Sequence, residues 1–512
     1  MSFQVRKLSE SKPRRSLPWK SMLLSGITIT RPLLGWYGAW KKRTLAERKK
    51  NKRTNMLKRI LVVLIAVFVA FLLFAGVGKA LVAMRVLTLS SITSVTGTPP
   101  PADEHGFTNI LLIGQGDAGH DGKDLTDTIM VASLDPNETK SVVLLSFPRD
   151  LYFLKTEKMG EGRINSLYRD YKGYLKYNQG MSEEDASVEA IRELAAEIGR
   201  NIGLPIHGAV KVDFVAFVEG VDALGGVDVV VPYDIDDQEY PDENYGFEPF
   251  VIATGPQHLD GATALKYARS RHTTSDFDRS QRQQQLLRAM ASKAKEKEIH
   301  KDPTMVIDFL RIFRENVETT FSMREIIGLA DLARKIDPAR VVAMQLNDRN
   351  GLYDGFVEPG GLLYAPPRDL FEGASVLLPV SIPEFPITWR QIQTLKTLLF
   401  ETRSIYLARP TLAILNAGAK SGTARALATE FARYGFIVDV IANASLPEQD
   451  TTFVAMAAEE NRPSALFFAS ILGCSTAFPP QPLTTEELRQ VTIVLGKDYR
   501  YEPLQSLITP TQ

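Results

Sequence analysis

The chain has 512 residues, 44% of them apolar, enough for two or three hydrophobic cores. A single cysteine, Cys474, excludes an intrachain disulfide framework and any Cys-based zinc or iron–sulfur site. The net charge of zero conceals a split: residues 1–59 carry 17 Lys/Arg against two acids, a charge of +15, so the rest carries −15. An acidic bulk of that size is a poor surface for wrapping nucleic acid, and no nucleic-acid partner is expected.

Residues 60–78 contain no charge and are nearly all Val, Leu, Ile, Phe or Ala. About 20 such residues cross a hydrocarbon core, so a transmembrane helix is expected over 60–79. The stretch starts too far into the chain, and runs too long, for a cleaved signal peptide. Basic residues from Lys41 to Arg53 precede it, which predicts a cytoplasmic N-terminus and an extracytoplasmic bulk in a single-pass protein of the plasma membrane. The shorter apolar stretch 22–40 is interrupted by Arg31 and Pro32; it suits the bilayer interface, with Trp36, Tyr37 and Trp40 at headgroup level. A Pro-rich joint at 98–101 falls in a linker over 80–104.

Beyond the joint, short β-branched runs predict strands at 109–114, 129–135 and 141–147. Ser182 with Asp185 predicts a capped helix, then a strand at 209–212, a helix capped by Asp213, and a strand at 227–231. Asp260 caps the next predicted helix at 261–267, and others follow at 278–298 and 323–336, before a strand at 340–345. Residues 351–409 read as a connector. A small α/β unit is expected over 410–500, with strands at 412–415, 436–441 and 491–495, and a short tail over 501–512. This alternation predicts an α/β fold.

Three polar constellations could carry chemistry. Arg269 and Arg271 alternate, so on an extended segment they would share one face; Arg279, Arg282 and Gln283 would share the first turns of a helix. Arginines near a helix N-terminus suit a phosphate or pyrophosphate, although pairing with Asp276 and Asp278 on a solvated face is the plain alternative. Arg149 follows a strand end, where ligands commonly bind; an ion pair with Asp150 would be its structural alternative. The loop from Gly114 to Thr128 carries Asp117, Asp121, Asp124 and Asp127, carboxylates of the kind Mg²⁺ takes beside substrate phosphates, or else an ordinary polar hairpin loop. The stretch 418–423 falls one residue short of a P-loop, and no His-based metal motif occurs.

The strings N-I-L-L-I-G, T-D-T-I-M, L-L-S-F-P-R-D and R-I-N-S-L-Y resemble the LytR-CpsA-Psr (LCP) family of bacterial envelope proteins, as do L-D-G-x-x-A-L-x-Y-A-R-S-R and D-F-D-R-S-Q-R-Q. The resemblance covers residues 105–350; 410–500 resemble the LytR-type C-terminal domain often appended to it. It implies a central β-sheet covered by helices on both faces, plus a small C-terminal α/β domain. It further implies a phosphotransferase that moves a glycopolymer from an undecaprenyl pyrophosphate carrier onto peptidoglycan, with Mg²⁺ or Mn²⁺, and with pyrophosphate cleavage as a side activity. By position, Asp117 and Asp127 match the family's metal-binding acids. Arg149, Arg269, Arg271 and Arg279 match its pyrophosphate-binding arginines, and Arg282 with Gln283 its R-Q pair. Asp117, Asp127, Arg149, Arg269 and Arg271 are thus the implied catalytic set. Ala118 and Leu125 stand where the family often has Arg, so Lys123 or Arg163 would complete the grip. The alternative to the enzyme is an envelope module that binds polyprenyl phosphate without transferring it; such a binder needs the arginines but neither Asp117 nor Asp127.

Overall fold

The computed structural model describes residues 98–115, 124–241, 246–270, 276–298, 312–313, 315–352, 355–381, 387–478 and 483–508. All fall within one compact unit, Met56–Gln512. The expected membrane span, the basic tail, Asp117 and Arg271 lie outside the described residues, among which no helix is long and apolar enough to cross a membrane.

The expected α/β architecture is present. Three successive apolar runs pair as an antiparallel meander: β1 (Thr108–Gln115), β2 (Thr126–Asp135) and β3 (Ser141–Phe147). The sheet is extended by β4 (Gly208–Val212), β5 (Val317–Thr319) and β6 (Val341–Gln345), giving the order β5-β4-β1-β2-β3-β6. β4 runs parallel to β1 and β6 parallel to β3, so the meander is flanked by crossover connections. β3 is buried at every position, as befits a strand covered on both faces.

Side-chain alternation along β1 and its neighbours divides the sheet into two faces. Leu111, Ile113, Val131 and Leu145 join a core with helices α1 (Ile164–Tyr177) and α2 (Glu183–Ile202). Ile110, Met130, Leu144 and Val210 join a second core with α3 (Phe214–Ala223), α4 (Gly261–Arg269), α5 (Asp276–Glu296) and α6 (Met323–Ala333). The predicted caps are in place. Ser182 Oγ accepts from the Asp185 amide at 3.1 Å, Asp213 from Ala216 at 2.7 Å and Asp260 from Thr263 at 2.8 Å. Each such cap contributes about 1 kcal/mol.

Residues 390–408 are mostly helical, in the segments Arg390–Lys396 and Arg403–Ala408, and Ile392, Leu395 and Leu399 are fully buried. Arg403, also buried, donates to the Phe400 carbonyl (2.9 Å) and to Ser133 Oγ (2.8 Å), and lies 3.7 Å over the Phe107 ring. Burial pushes its pKa down to about 10. The C-terminal unit is a five-stranded sheet of β7 (Thr411–Asn416), β8 (Ile437–Asn443), β9 (Phe453–Met456), β10 (Ser475–Ala477) and β11 (Val491–Leu495), in the order β8-β7-β11-β9-β10. Helices α7 (Thr423–Arg433) and α8 (Arg462–Leu472) complete it, and Phe431 and Phe468 belong to the same continuous core as Leu111 and Val131.

Candidate functional site

The β1–β2 pairing slips at its open end. Gly114 faces Thr128 and Gln115 faces Thr126, so Asp127 is the extra residue of a bulge. A bulge breaks the in/out alternation, which leaves Asp127 and Thr128 both partly open at the end of an otherwise buried strand. Gly114 makes this possible. A Cβ there would lie 2.9 Å from Thr128 Cβ, well inside contact distance.

Both bulge residues line a cavity of about 310 Å³ between the sheet and helices α3, α4 and α5. Its wall is mainly apolar, from Leu112, Met130, Val212, Phe217, Leu265 and Leu287. At its polar parts stand Asp127, Arg269, Arg279 and Gln283, with Asp213, which caps α3, and Asp237, which accepts from Ser270 Oγ at 2.7 Å. A cavity that is mainly apolar along its wall and carries two arginines suits an amphiphile with an anionic head.

Arg269 closes α4 and is therefore on a helix end rather than on an extended segment. Its guanidinium lies 4.2 Å over the Phe214 ring and donates to Tyr240 Oη at 3.1 Å, which fixes its direction. Burial raises the Tyr240 pKa, the nearby Arg269 charge opposing it, so this partner stays a neutral phenol. Arg279, buried on α5, donates to the Asp127 carbonyl at 3.5 Å, and Gln283 one turn later donates to the Ala268 carbonyl at 3.4 Å.

Arg149 follows β3 and reaches the same locus through Asp127, with Nη1 3.7 Å from the carboxylate Oδ1. Its Nε lies 3.8 Å from Asp150, and Arg163 lies 3.5 Å from the other Asp150 oxygen. Arg149 and Arg163 thus share Asp150, and each retains a partly exposed guanidinium. Arg282 does not join the others. It is buried with its guanidinium against the Tyr267 carbonyl (2.8 Å) and the Ser270 carbonyl, and it lines a different cavity. Burial lowers its pKa, and it acts as a clamp on the end of α4.

Asp124 is taken by Lys172 at 2.9 Å, and Lys172 also pairs with Glu183 at 2.6 Å. Burial alone would lower the Lys172 pKa, but these two pairs outweigh it and raise it. Asp124 is therefore a structural carboxylate. Among the described residues no group of three or more His, Cys, Asp or Glu is gathered to hold a metal. Asp127 supplies one hard oxygen donor, 40% exposed, beside the arginine cluster. Mg²⁺ accepts one or two carboxylates when phosphate oxygens and water fill its remaining positions, so the donor chemistry fits.

Sequence reasoning did not find the apolar wall or the aromatic supports of Arg269. Tyr240 lies in a hairpin, Ile235–Pro241 with Phe247–Ile252, that carries no strong strand pattern.

Among curated proteins, the polyisoprenyl-teichoic acid–peptidoglycan teichoic acid transferase TagV of Bacillus subtilis is 29% identical over 248 residues, 46% of this chain and 57% of that protein. TagU of Oceanobacillus iheyensis is 30% identical over 226 residues, 43% and 61% of the two chains. The chain thus spans somewhat under two thirds of the length of these relatives. Similar solved structures are B. subtilis TagV (23% identity, 57% of this chain and 96% of that one) and TagT bound to LIIa-WTA (22%, 59% and 92%), both at a TM-score of 0.39. The model described as LytR cell envelope-related transcriptional attenuator matches residues 409–499. The LytR_cpsA_psr family model matches residues 88–359, more than half of the sequence, and the chain belongs to that family.

Proposed function

We propose that the chain is a membrane-anchored phosphotransferase that moves a glycopolymer from a polyprenyl pyrophosphate carrier onto an envelope acceptor, peptidoglycan in the first instance. The observation that carries this reading is the 310 Å³ cavity, mainly apolar along its wall and lined by Asp127, Arg269, Arg279 and Gln283. The naming of the relatives as teichoic acid transferases supports it.

In this reading the polyprenyl chain lies along Leu112, Met130, Val212, Phe217, Leu265 and Leu287 and supplies affinity at about 0.8 kcal/mol per buried CH₂. The arginines supply orientation and charge neutralisation. Arg269, held by Phe214 and Tyr240, and Arg279, seated against β2, meet the pyrophosphate from the helix side; Arg149 and Arg163 meet it from the strand side. Gln283 offers a neutral donor. Arg271, two residues beyond α4 in the sequence, would add a further cation. Fixed cations of this kind favour the transition state of phosphoryl transfer because they need not reorganise as charge shifts to the leaving phosphate. Asp127, with Asp117 from the loop before β2, would hold Mg²⁺, which supplies further neutralisation of the pyrophosphate when bound. The residues 60–79 would anchor the chain in the plasma membrane with the N-terminus cytoplasmic and the cavity outside, where carrier and acceptor meet.

The test is Asp127→Ala, assayed for phosphate-linked polymer transfer and in parallel for retained lipid. Transfer is expected to vanish while polyprenyl pyrophosphate still binds through the arginines. Transfer that persists undiminished without Mg²⁺ would refute the metal-assisted reading. A wild-type protein that binds the carrier but transfers to no envelope acceptor would leave a binding module in place of an enzyme.

A further inference from the structure

A second and larger cavity, about 680 Å³, lies between α5, the edge strand β6 and the C-terminal unit. It uses other residues of α5 than the first: Gln281, Arg282 and Arg288 rather than Arg279, Gln283 and Leu287. Arg409 and Ile437 line it from the far side.

The charge of this cleft is one-sided. Three arginines line it against one acid, Asp278. Arg282 is committed to the carbonyls of Tyr267 and Ser270. Arg288 and Arg409 have no ion-pair or side-chain hydrogen-bond partner among the described residues. Both are exposed where they line the cleft. Arg288 opens into the cleft, yet the protein packed around it, and then the like charge of Arg409, lower its pKa. Arg409 is the left-handed C-cap of the helix Arg403–Ala408, its amide donating to the Ile405 carbonyl at 3.0 Å. Two exposed guanidiniums that line one cleft and hold no side-chain partner among the described residues offer an anion its donors.

The neighbouring groups narrow the ligand. Tyr233, 40% exposed, presents a ring at the cleft wall, and Gln281 presents an exposed amide. The Tyr233 phenol is held by Asp278 and Arg282, which leaves its ring face and the amide for a sugar, while guanidiniums bind a phosphate.

We propose that the cleft between α5 and the C-terminal unit binds a phosphate-bearing saccharide through Arg288 and Arg409, with Tyr233 and Gln281 on the sugar. The site is separate from the first cavity and does not depend on the transferase reading. The C-terminal unit thereby supplies half of a binding cleft.

The experiment is calorimetric titration of the full-length chain in detergent with glucose 1-phosphate, inorganic phosphate and glucose. Glucose 1-phosphate is expected to bind saturably and more tightly than inorganic phosphate, and glucose not to bind. Arg288→Gln and Arg409→Gln should each weaken glucose 1-phosphate by at least about tenfold. Both variants should unfold at about the wild-type temperature, because neither side chain holds a partner among the described residues; loss of a merely structural arginine would lower it. Absence of saturable binding, or binding unchanged in both variants, would overturn the proposal. Equal affinity for inorganic phosphate would overturn the saccharide assignment, and equal affinity for glucose the phosphate assignment.

Discussion

Gly114→Ala is the smallest change that tests how the site is built. The added methyl would stand 2.9 Å from Thr128 Cβ and 3.1 Å from its Oγ1. Carbon atoms in contact sit about 3.5–4.0 Å apart, so the approach is short by roughly 0.6–1.1 Å. Rotation of Thr128 cannot relieve it, because Cβ is fixed by the backbone, and the ladder above the bulge pins both strands. Overpacking of this kind costs about 1–3 kcal/mol, a fall of a few degrees in the unfolding midpoint. The strand end would open, and the residue displaced with it is Asp127. Carrier binding and transfer should therefore fall by more than the stability loss explains. The exchange Gly114→Ala with Thr128→Gly removes the clash and should recover most of the stability relative to the sum of its two single variants. The assay is denaturant unfolding of the four proteins as a cycle, with transfer measured on each. A Gly114→Ala protein within about 0.5 kcal/mol of wild type, and an exchange no better than additive, would refute the reasoning.

Three further outcomes are expected. Arg279→Ala should weaken binding of a polyprenyl pyrophosphate by roughly ten- to a hundredfold, the loss of one charge-assisted contact, as measured by equilibrium binding on folded protein. Lys172 and Lys176 hold the Glu183 carboxyl at about 2, below its ordinary 4.5. Its stabilising contribution is therefore complete above pH 4.5 and lost as the pH falls towards 2, and Glu183→Gln should flatten that part of a urea-stability profile. Protease added outside intact cells should remove residues beyond about 85 and leave the basic tail protected; a protected C-terminus would reverse the proposed orientation.

The legible parts of the fold were those with local causes. Ser182, Asp213 and Asp260 announce helices because a cap is a contact three residues long. The meander announces itself through three apolar runs in succession. The site was legible residue by residue but not as a geometry. Arg279, Arg282 and Gln283 look like one helix face, yet at about 100° per residue Arg282 and Gln283 point about 100° apart. On a helix wedged between two cavities, that angle sends Gln283 into one and Arg282 towards the other. The apolar wall was hidden for a different reason. Leu112, Met130, Val212, Phe217, Leu265 and Leu287 come from β1, β2, β4, α3, α4 and α5, and each alone is an ordinary core residue. Only the tertiary fold separates a leucine that faces a void from one that faces another leucine. The segment 390–408 shows the same limit: its Gly- and Pro-rich flanks suggest a joint, while Ile392, Leu395 and Leu399 are buried as deeply as the strands.

The unbroken core from Leu111 through Leu399 to Phe468 bears on how this chain could change over time. The two family matches, 88–359 and 409–499, leave residues 360–408 between them, and the second opens at a boundary at residue 409. The oil they share ignores that boundary. Cutting the chain there would strand the apolar side of residues 392–406 in water, so the C-terminal unit cannot be shed, swapped or lent to another protein without repair of the surface it leaves. In this chain the C-terminal unit is a wall of the house and not an appendage.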